Sequence, residues 1–225
     1  MGDTNAPDRG EDLDFAVARR ELVDALRQRL DVSERTLSAI DAVPRHAFVP
    51  ADRRSLAYAD RPLPIGHDQT ISAPHMVAVM TDLLEVDRGD RVLEVGTGCG
   101  YHAAVLAEIV GPGNVFSAEY VPELAEAARD RLRRLGYDVV VRAGDGREVF
   151  RDEAPFDAAS LTCAPTGGIP DAIVDQVRTG GRVVAPVQRK GALGLGGRQR
   201  LVRLTVREDG VDREDHGGVR FVPMR

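Results

Sequence analysis

The stretch 91–110 limits the possible folds more than any other. An apolar tetrapeptide, Val92-Leu-Glu-Val95, leads into Gly96-Thr-Gly98-Cys-Gly100, and an alanine-rich segment over 101–110 follows at once. This predicts a strand, a tight turn and a helix, which in an open α/β sheet is where ligands bind. Glycines let the backbone turn and approach a ligand without steric cost, and the free N–H groups that open the helix suit a carboxylate. The spacing is Gly-x-Gly-x-Gly rather than Gly-x-Gly-x-x-Gly, and an acid, Glu94, precedes the first glycine. Those two details point to S-adenosyl-L-methionine and away from a pyrophosphate dinucleotide. Glu94, Gly96, Thr97, Gly98 and Gly100 are the first candidate cofactor residues.

The pattern downstream alternates. Strands are predicted over 92–95, 115–119, 138–142, 156–161 and 182–187, with helices over 101–110, 121–135 and 170–178 between them. Two further strands, 201–207 and 219–222, close the chain. Strand–helix alternation of this kind means a doubly wound, mostly parallel α/β sheet, here of seven strands. Upstream, residues 1–12 are polar and read as a disordered tail. Apolar residues at Phe15, Ala18, Leu22, Leu26 and Leu30 have helical spacing, and a second helix is predicted over 33–42. Residues 43–50 read as extended or turning, 51–60 as a short helix and 62–66 as loop. Ser72 is placed as the N-cap of a helix that carries Met76, Val77, Met80, Leu83 and Leu84. Residues 13–88 thus form an N-terminal helical extension to a core over 89–225. The glycine-rich run 191–197 reads as a flexible loop.

Charge and composition narrow the function. The chain has 225 residues, 30 basic and 36 acidic, for a net charge of −6. No basic block stands out, which argues against a nucleic-acid partner. No stretch approaches the ~18 apolar residues of a membrane span, and the N-terminus lacks an apolar signal core, so a cytoplasmic location is expected. The two cysteines, Cys99 and Cys163, have neither disulfide nor metal spacing; no metal site is expected.

Other residues gain weight from the glycine loop. Glu119 ends the second strand, where an acid holds ribose hydroxyls; capping the next helix is the competing role. Asp145, in Gly144-Asp-Gly146, could accept from an adenine amino group, although taken alone an ordinary Asp-Gly turn is the better reading. Ser72 has no triad partner, and His75 and His102 have no ligand partners at helical spacing.

Ala57-Tyr-x-Asp-x-Pro-Leu-Pro-Ile-Gly66, Gln69-Thr-Ile-Ser-Ala-Pro74 and Val92-Leu-Glu-Val-Gly-Thr-Gly-x-Gly-Tyr101 resemble the protein-L-isoaspartate O-methyltransferases. So do Gly144-Asp-Gly146, Ala154-Pro-Phe-Asp157, Gly180-Gly-Arg-x-Val184 with Pro186, and Val219-Arg-Phe-Val-Pro223. The resemblance runs in order over about residues 35–225 and implies a Rossmann-type class I methyltransferase. Such an enzyme methylates the α-carboxylate of L-isoaspartyl residues in damaged proteins, using S-adenosyl-L-methionine. It implies Ser72 as the active-site residue beside the substrate carboxylate, with Thr162, Cys163 and Val222 also at the substrate. Thr70, Ile71 and Ser72 join the cofactor set, Glu119 would hold the ribose, and Asp145 with Gly146 the adenine. Isoaspartyl proteins and peptides are the expected partners of a monomer. A paralogue acting on another peptide carboxylate and an inactive cofactor-binding adaptor remain the alternatives. Asp68, Cys99, His102 and a longer loop over 162–170 depart from the family pattern, and Asp68 and that loop are expected to border the peptide site.

Overall fold

The computed structural model describes residues 9–190 and 196–225. Three helices, α1 (Arg9–Arg29), α2 (Glu34–Ala42) and α3 (Pro74–Leu83), precede the main sheet. They are linked by two 3₁₀ turns, Arg45–Phe48 and Ala51–Leu56, and by a small hairpin of β1 (Leu63–Gly66) and β2 (Gln69–Ile71). The core runs β3 (Val92–Val95), α4 (Tyr101–Val110), β4 (Val115–Glu119), α5 (Pro122–Arg134), β5 (Val140–Ala143), β6 (Phe156–Leu161), α6 (Asp171–Val174), β7 (Val177–Lys190), β8 (Gly196–Arg207) and β9 (Gly210–Val219). The seven strands order as β5-β4-β3-β6-β7-β8-β9, parallel from β5 to β7 and antiparallel beyond.

The period of two along β3 builds two cores. Val92 packs with Leu26, Ile40, Met80, Leu106 and Leu132 from the helices α1 to α5. Leu93 and Val95 face the other way, with Phe116, Phe150, Phe156 and Ile173. The chain leaves β3 toward β4 and β5 on one side and returns at β6 on the other. The strand order therefore reverses between β3 and β6, the point where an open α/β sheet leaves a crevice at its carboxyl edge.

Several boundaries differ from the sequence-based expectations. Helix α1 begins at Arg9, inside the expected tail. Residues 1–8 lie outside the described residues, as do 191–195 of the expected flexible loop, while Gly196 opens β8. Within the segment 62–66, expected as loop, Leu63–Gly66 is a strand. His67 and Asp68, both in the left-handed region at φ 51° and 58°, turn its hairpin, as two-residue hairpin turns require. The closing strand is β9, which starts at Gly210 and not near 219 as expected. It is the exposed sheet edge, so its charged residues show no apolar alternation. Helix α6 spans only four residues, because the chain turns at Gln176, whose amide donates to Ala172 O and Arg147 O.

Candidate functional site

A cleft of about 630 Å³, counted to open solvent, lies on the carboxyl edge of β3, β4, β5 and β6. Among its walls are Val95, Gly96, Gly98, Ala118, Glu119 and Tyr120. Gly144, Asp145, Gly146, Thr162, Cys163 and Val222 continue the lining, and Thr70 of β2 closes one side. The glycine loop is shaped by contact as well as by torsion. Gly96 has φ 102°, and a Cβ there would collide with the Thr162 hydroxyl. That hydroxyl donates to Gly96 O at 2.5 Å, so the β6 end and the glycine loop are tied at a position where a side chain cannot stand.

Glu119 combines the two roles between which the sequence left it. Its carboxylate is buried, accepting from the Gly98 N–H at 2.8 Å and from the Val121 N–H at 3.0 Å. It thereby bridges the glycine loop and the start of α5. A carboxylate offers about four acceptor positions, so acceptor capacity remains on the face that lines the cleft. Asp145 also lines it, but its carboxylate accepts from the Arg147 backbone N–H at 2.9 Å and from its guanidinium Nε at 2.8 Å. The Arg147 guanidinium holds the Asp145 carboxyl below the usual carboxylate range.

Other candidates stand behind the cleft. Glu94 is fully buried and accepts from Ser117 Oγ, which in turn meets Thr97 Oγ1 at 2.6 Å. His102 Nδ1 lies 3.3 Å from Glu94, and its Nε2 is 3.1 Å from Thr81 Oγ1. This polar row runs from α3 through α4 and β3 to the glycine loop. Glu94, Thr97, Gly100 and Ile71 line neither this cleft nor the groove beside it. Cys99 is buried, and its carbonyl accepts from Arg131 at 2.9 Å. Burial pushes the Cys163 thiol up to about 12, so this wall residue stays a neutral thiol at physiological pH.

A second, more open groove of about 1750 Å³ adjoins the first and shares Thr70, Thr162 and Val222 with it. Ser72 lines this groove and not the cleft. It is not a helix cap either: the N-cap of α3 is Ala73, with no side-chain cap, and Pro74 occupies the first turn. The Ser72 hydroxyl makes no hydrogen bond to another described residue, while its carbonyl accepts from Arg45 Nη2 at 2.8 Å. Asp68, expected at this border, stands on the hairpin turn and lines neither space. Asp tolerates the left-handed φ of this position better than most residues. Of the loop 162–170, only Thr162 reaches the groove. Ala164 N–H is held by Val222 O at 2.8 Å and Gly167 N–H by Gln188 O at 2.8 Å.

The sequence profile described as Protein-L-isoaspartate(D-aspartate) O-methyltransferase (PCMT) matches residues 17–225. The chain belongs to this family. A protein-L-isoaspartate O-methyltransferase 2 of Archaeoglobus fulgidus is 50% identical over 216 residues, covering 95% of each chain. The Methanopyrus kandleri protein-L-isoaspartate O-methyltransferase is 47% identical over 219 residues, 95% of this chain and 94% of that one. A solved protein-L-isoaspartate O-methyltransferase superposes with a TM-score of 0.81 at 29% identity. It aligns with 91% of this chain, which spans 65% of its own, less than two thirds. A Plasmodium falciparum protein, described as a candidate family member in complex with S-adenosyl-L-homocysteine, shares the fold at 22% identity and a TM-score of 0.76, covering 92% of this chain and 98% of that one.

For a family member, the cleft contains residues that motif reading passed over. Tyr120 and Val121 directly follow Glu119 and line the same wall, and Pro223, Met224 and Arg225 continue from Val222. The first pair was within reach of the sequence, next to the acid at a strand end. The C-terminal residues were not, because only the bridge between Ala164 and Pro223 brings them there. Among the described residues, no group of His, Cys, Asp or Glu could hold a metal ion, and no helix is long and apolar enough to cross a membrane.

Proposed function

We propose that the chain transfers a methyl group from S-adenosyl-L-methionine to the α-carboxylate of L-isoaspartyl residues, which starts their repair to aspartate. The observation that carries this is the pair of adjoining spaces: a glycine-walled cleft with a buried acceptor carboxylate, and an open groove with an uncommitted serine hydroxyl, sharing Thr70, Thr162 and Val222. The cleft fits the donor. At Gly96 the backbone takes the room of a side chain, and Glu119 keeps acceptor capacity for ribose hydroxyls. Asp145, engaged with Arg147, has less to offer an adenine amino group than Glu119 has to offer a ribose.

The bound donor supplies a methyl group on a cationic sulfonium. The acceptor needs no general base, because a carboxylate with a pKa near ~4 is already a nucleophile at neutral pH. The residues of the chain have only to place an oxygen in line and exclude water. A full positive charge beside that oxygen would stabilise the ground state and slow attack. Ser72, a neutral donor, orients the carboxylate without that penalty. Cys163, kept as a thiol, is a wall and not a competing nucleophile. A monomer acting in the cytoplasm is the state proposed with this activity.

Incubation with methyl-labelled donor and matched peptides tests this reading. Base-labile label on the isoaspartyl peptide and none on the aspartyl peptide is expected. Tight donor binding with no label on either peptide would make the chain an adaptor.

Two further outcomes are expected. A hydrogen bond to a charged group contributes about 1.5–3 kcal/mol, so Glu119→Gln should weaken S-adenosyl-L-homocysteine binding by about 10- to 100-fold in calorimetry. The groove lining holds no carboxylate, but it does hold exposed Arg198 and Arg220, which have no ion pair among the described residues. Isoaspartyl peptides with acidic flanks should therefore show kcat/KM about 3- to 5-fold above basic-flanked ones at low salt, and 0.5 M salt should erase the difference.

A further inference from the structure

Arg45 opens the first 3₁₀ turn and is fully buried. Its Nε donates to Ala57 O at 2.8 Å, and its Nη2 to Ser72 O at 2.8 Å. Its guanidinium carbon sits 4.8 Å from the centroid of the Tyr101 ring. Nη1 has no hydrogen-bond partner, and no carboxylate forms an ion pair with Arg45 among the described residues. Burial pulls the guanidinium below its usual pKa, with Tyr101 the main opposing influence. A buried cation without a counter-ion is costly, and a well-packed apolar side chain is often the more stable choice. Stability alone is a poor account of this residue.

The three groups that Arg45 touches belong to segments that meet at the site. Ala57 ends the second 3₁₀ turn. Ser72 lines the groove. Tyr101 is the first residue of α4, directly after the glycine loop that walls the cleft. Arg45 itself lines neither space. Its planar fork spans two carbonyls from different segments while its face lies on the ring, a geometry that the single-point ammonium of lysine cannot reproduce. We propose that Arg45 is a positioning residue, which holds the Ser72 peptide at a fixed distance from the glycine loop and so sets the Ser72 hydroxyl against the reacting carboxylate. Its charge is directed at main-chain carbonyls and a ring, away from the groove, so it orders the serine without adding a cation that would quiet the nucleophile. This rests on the carboxyl-methylation reading above.

Arg45→Lys tests the proposal in a double-mutant cycle with Ser72→Ala, because coupled residues depart from additivity and independent ones do not. In the wild-type background, Arg45→Lys is expected to lower kcat for an isoaspartyl peptide about 10-fold, with S-adenosyl-L-homocysteine affinity within about 3-fold. In the Ser72→Ala background, the same change is expected to lower kcat less than about 2-fold. Amide exchange over residues 70–76 is expected to rise in Arg45→Lys, while that over 102–110 stays as in the wild type. An equal loss in both backgrounds, or a fall in melting temperature and cofactor affinity with kcat of the folded enzyme intact, would overturn the proposal. If the wild-type protein fails to methylate the peptide, the activity reading falls. The exchange pattern then still decides whether Arg45 holds Ser72: no rise over 70–76 would overturn that as well.

Discussion

Replacing Gly96 with alanine is expected to abolish cofactor binding, raising the dissociation constant of S-adenosyl-L-homocysteine by at least about 1,000-fold. Two costs combine. An L-residue held at φ 102° is strained, typically by about 1–3 kcal/mol. The new Cβ also meets the Thr162 hydroxyl, whose bonds to Gly96 O at 2.5 Å and Val95 O at 3.3 Å leave it no free rotation. Relief requires breaking those bonds or lifting the loop into the cleft. Isothermal titration measures the loss. Gly89→Ala is the control, since Gly89 has a similar φ of 95° but open space around its Cβ; it should leave cofactor affinity unchanged. Removing the hydroxyl in a Gly96→Ala, Thr162→Ala double variant should recover at least about 10-fold, because the two changes share one contact. Wild-type affinity in Gly96→Ala would mean that the cofactor does not lie on this loop.

The second large effect falls on turnover. Ser72→Ala is expected to lower kcat for an isoaspartyl peptide about 10- to 100-fold, the loss of one hydrogen bond to a charged group. S-adenosyl-L-homocysteine affinity should stay within about 2-fold, because a residue outside the cleft has little to lose there. The backbone carbonyl of Ser72 keeps its bond to Arg45 in the variant, so the segment should hold its place. Steady-state kinetics with a matched cofactor titration separates the two quantities. A large loss of cofactor affinity with kcat unchanged would move Ser72 from the substrate to the cofactor.

What was legible in the sequence was local. Val92 to Val110 specify strand, turn and helix with neighbours alone, and Glu119 falls at the tip of the next strand by the same short-range logic. The elements that escaped are those whose signals are cancelled or long-range. Pro64 and Gly66 look like loop, yet they belong to a hairpin whose register is set across the turn at His67 and Asp68. β9 is a strand only because β8 is beside it, and its exposed charges carry no alternation. Ser72 before a proline-led helix has the signature of a cap, and three-dimensional placement alone frees its hydroxyl for the groove. Thr162, Val222 and Arg45 illustrate the same limit. Each matters through residues dozens of positions away, and only the family resemblance marked the first two.

If the two adjoining spaces serve isoaspartate repair and not nucleoside binding alone, an isoaspartyl peptide is converted to its aspartyl isomer. Chromatographic separation of an isoaspartyl peptide from its aspartyl isomer, followed over time with enzyme and S-adenosyl-L-methionine, tests it directly. Steady conversion of the isoaspartyl form to the aspartyl form through ester and succinimide is expected, dependent on the cofactor and slowed by Ser72→Ala. An unchanged isoaspartyl peptide, or methylation of the aspartyl isomer at an equal rate, would contradict it.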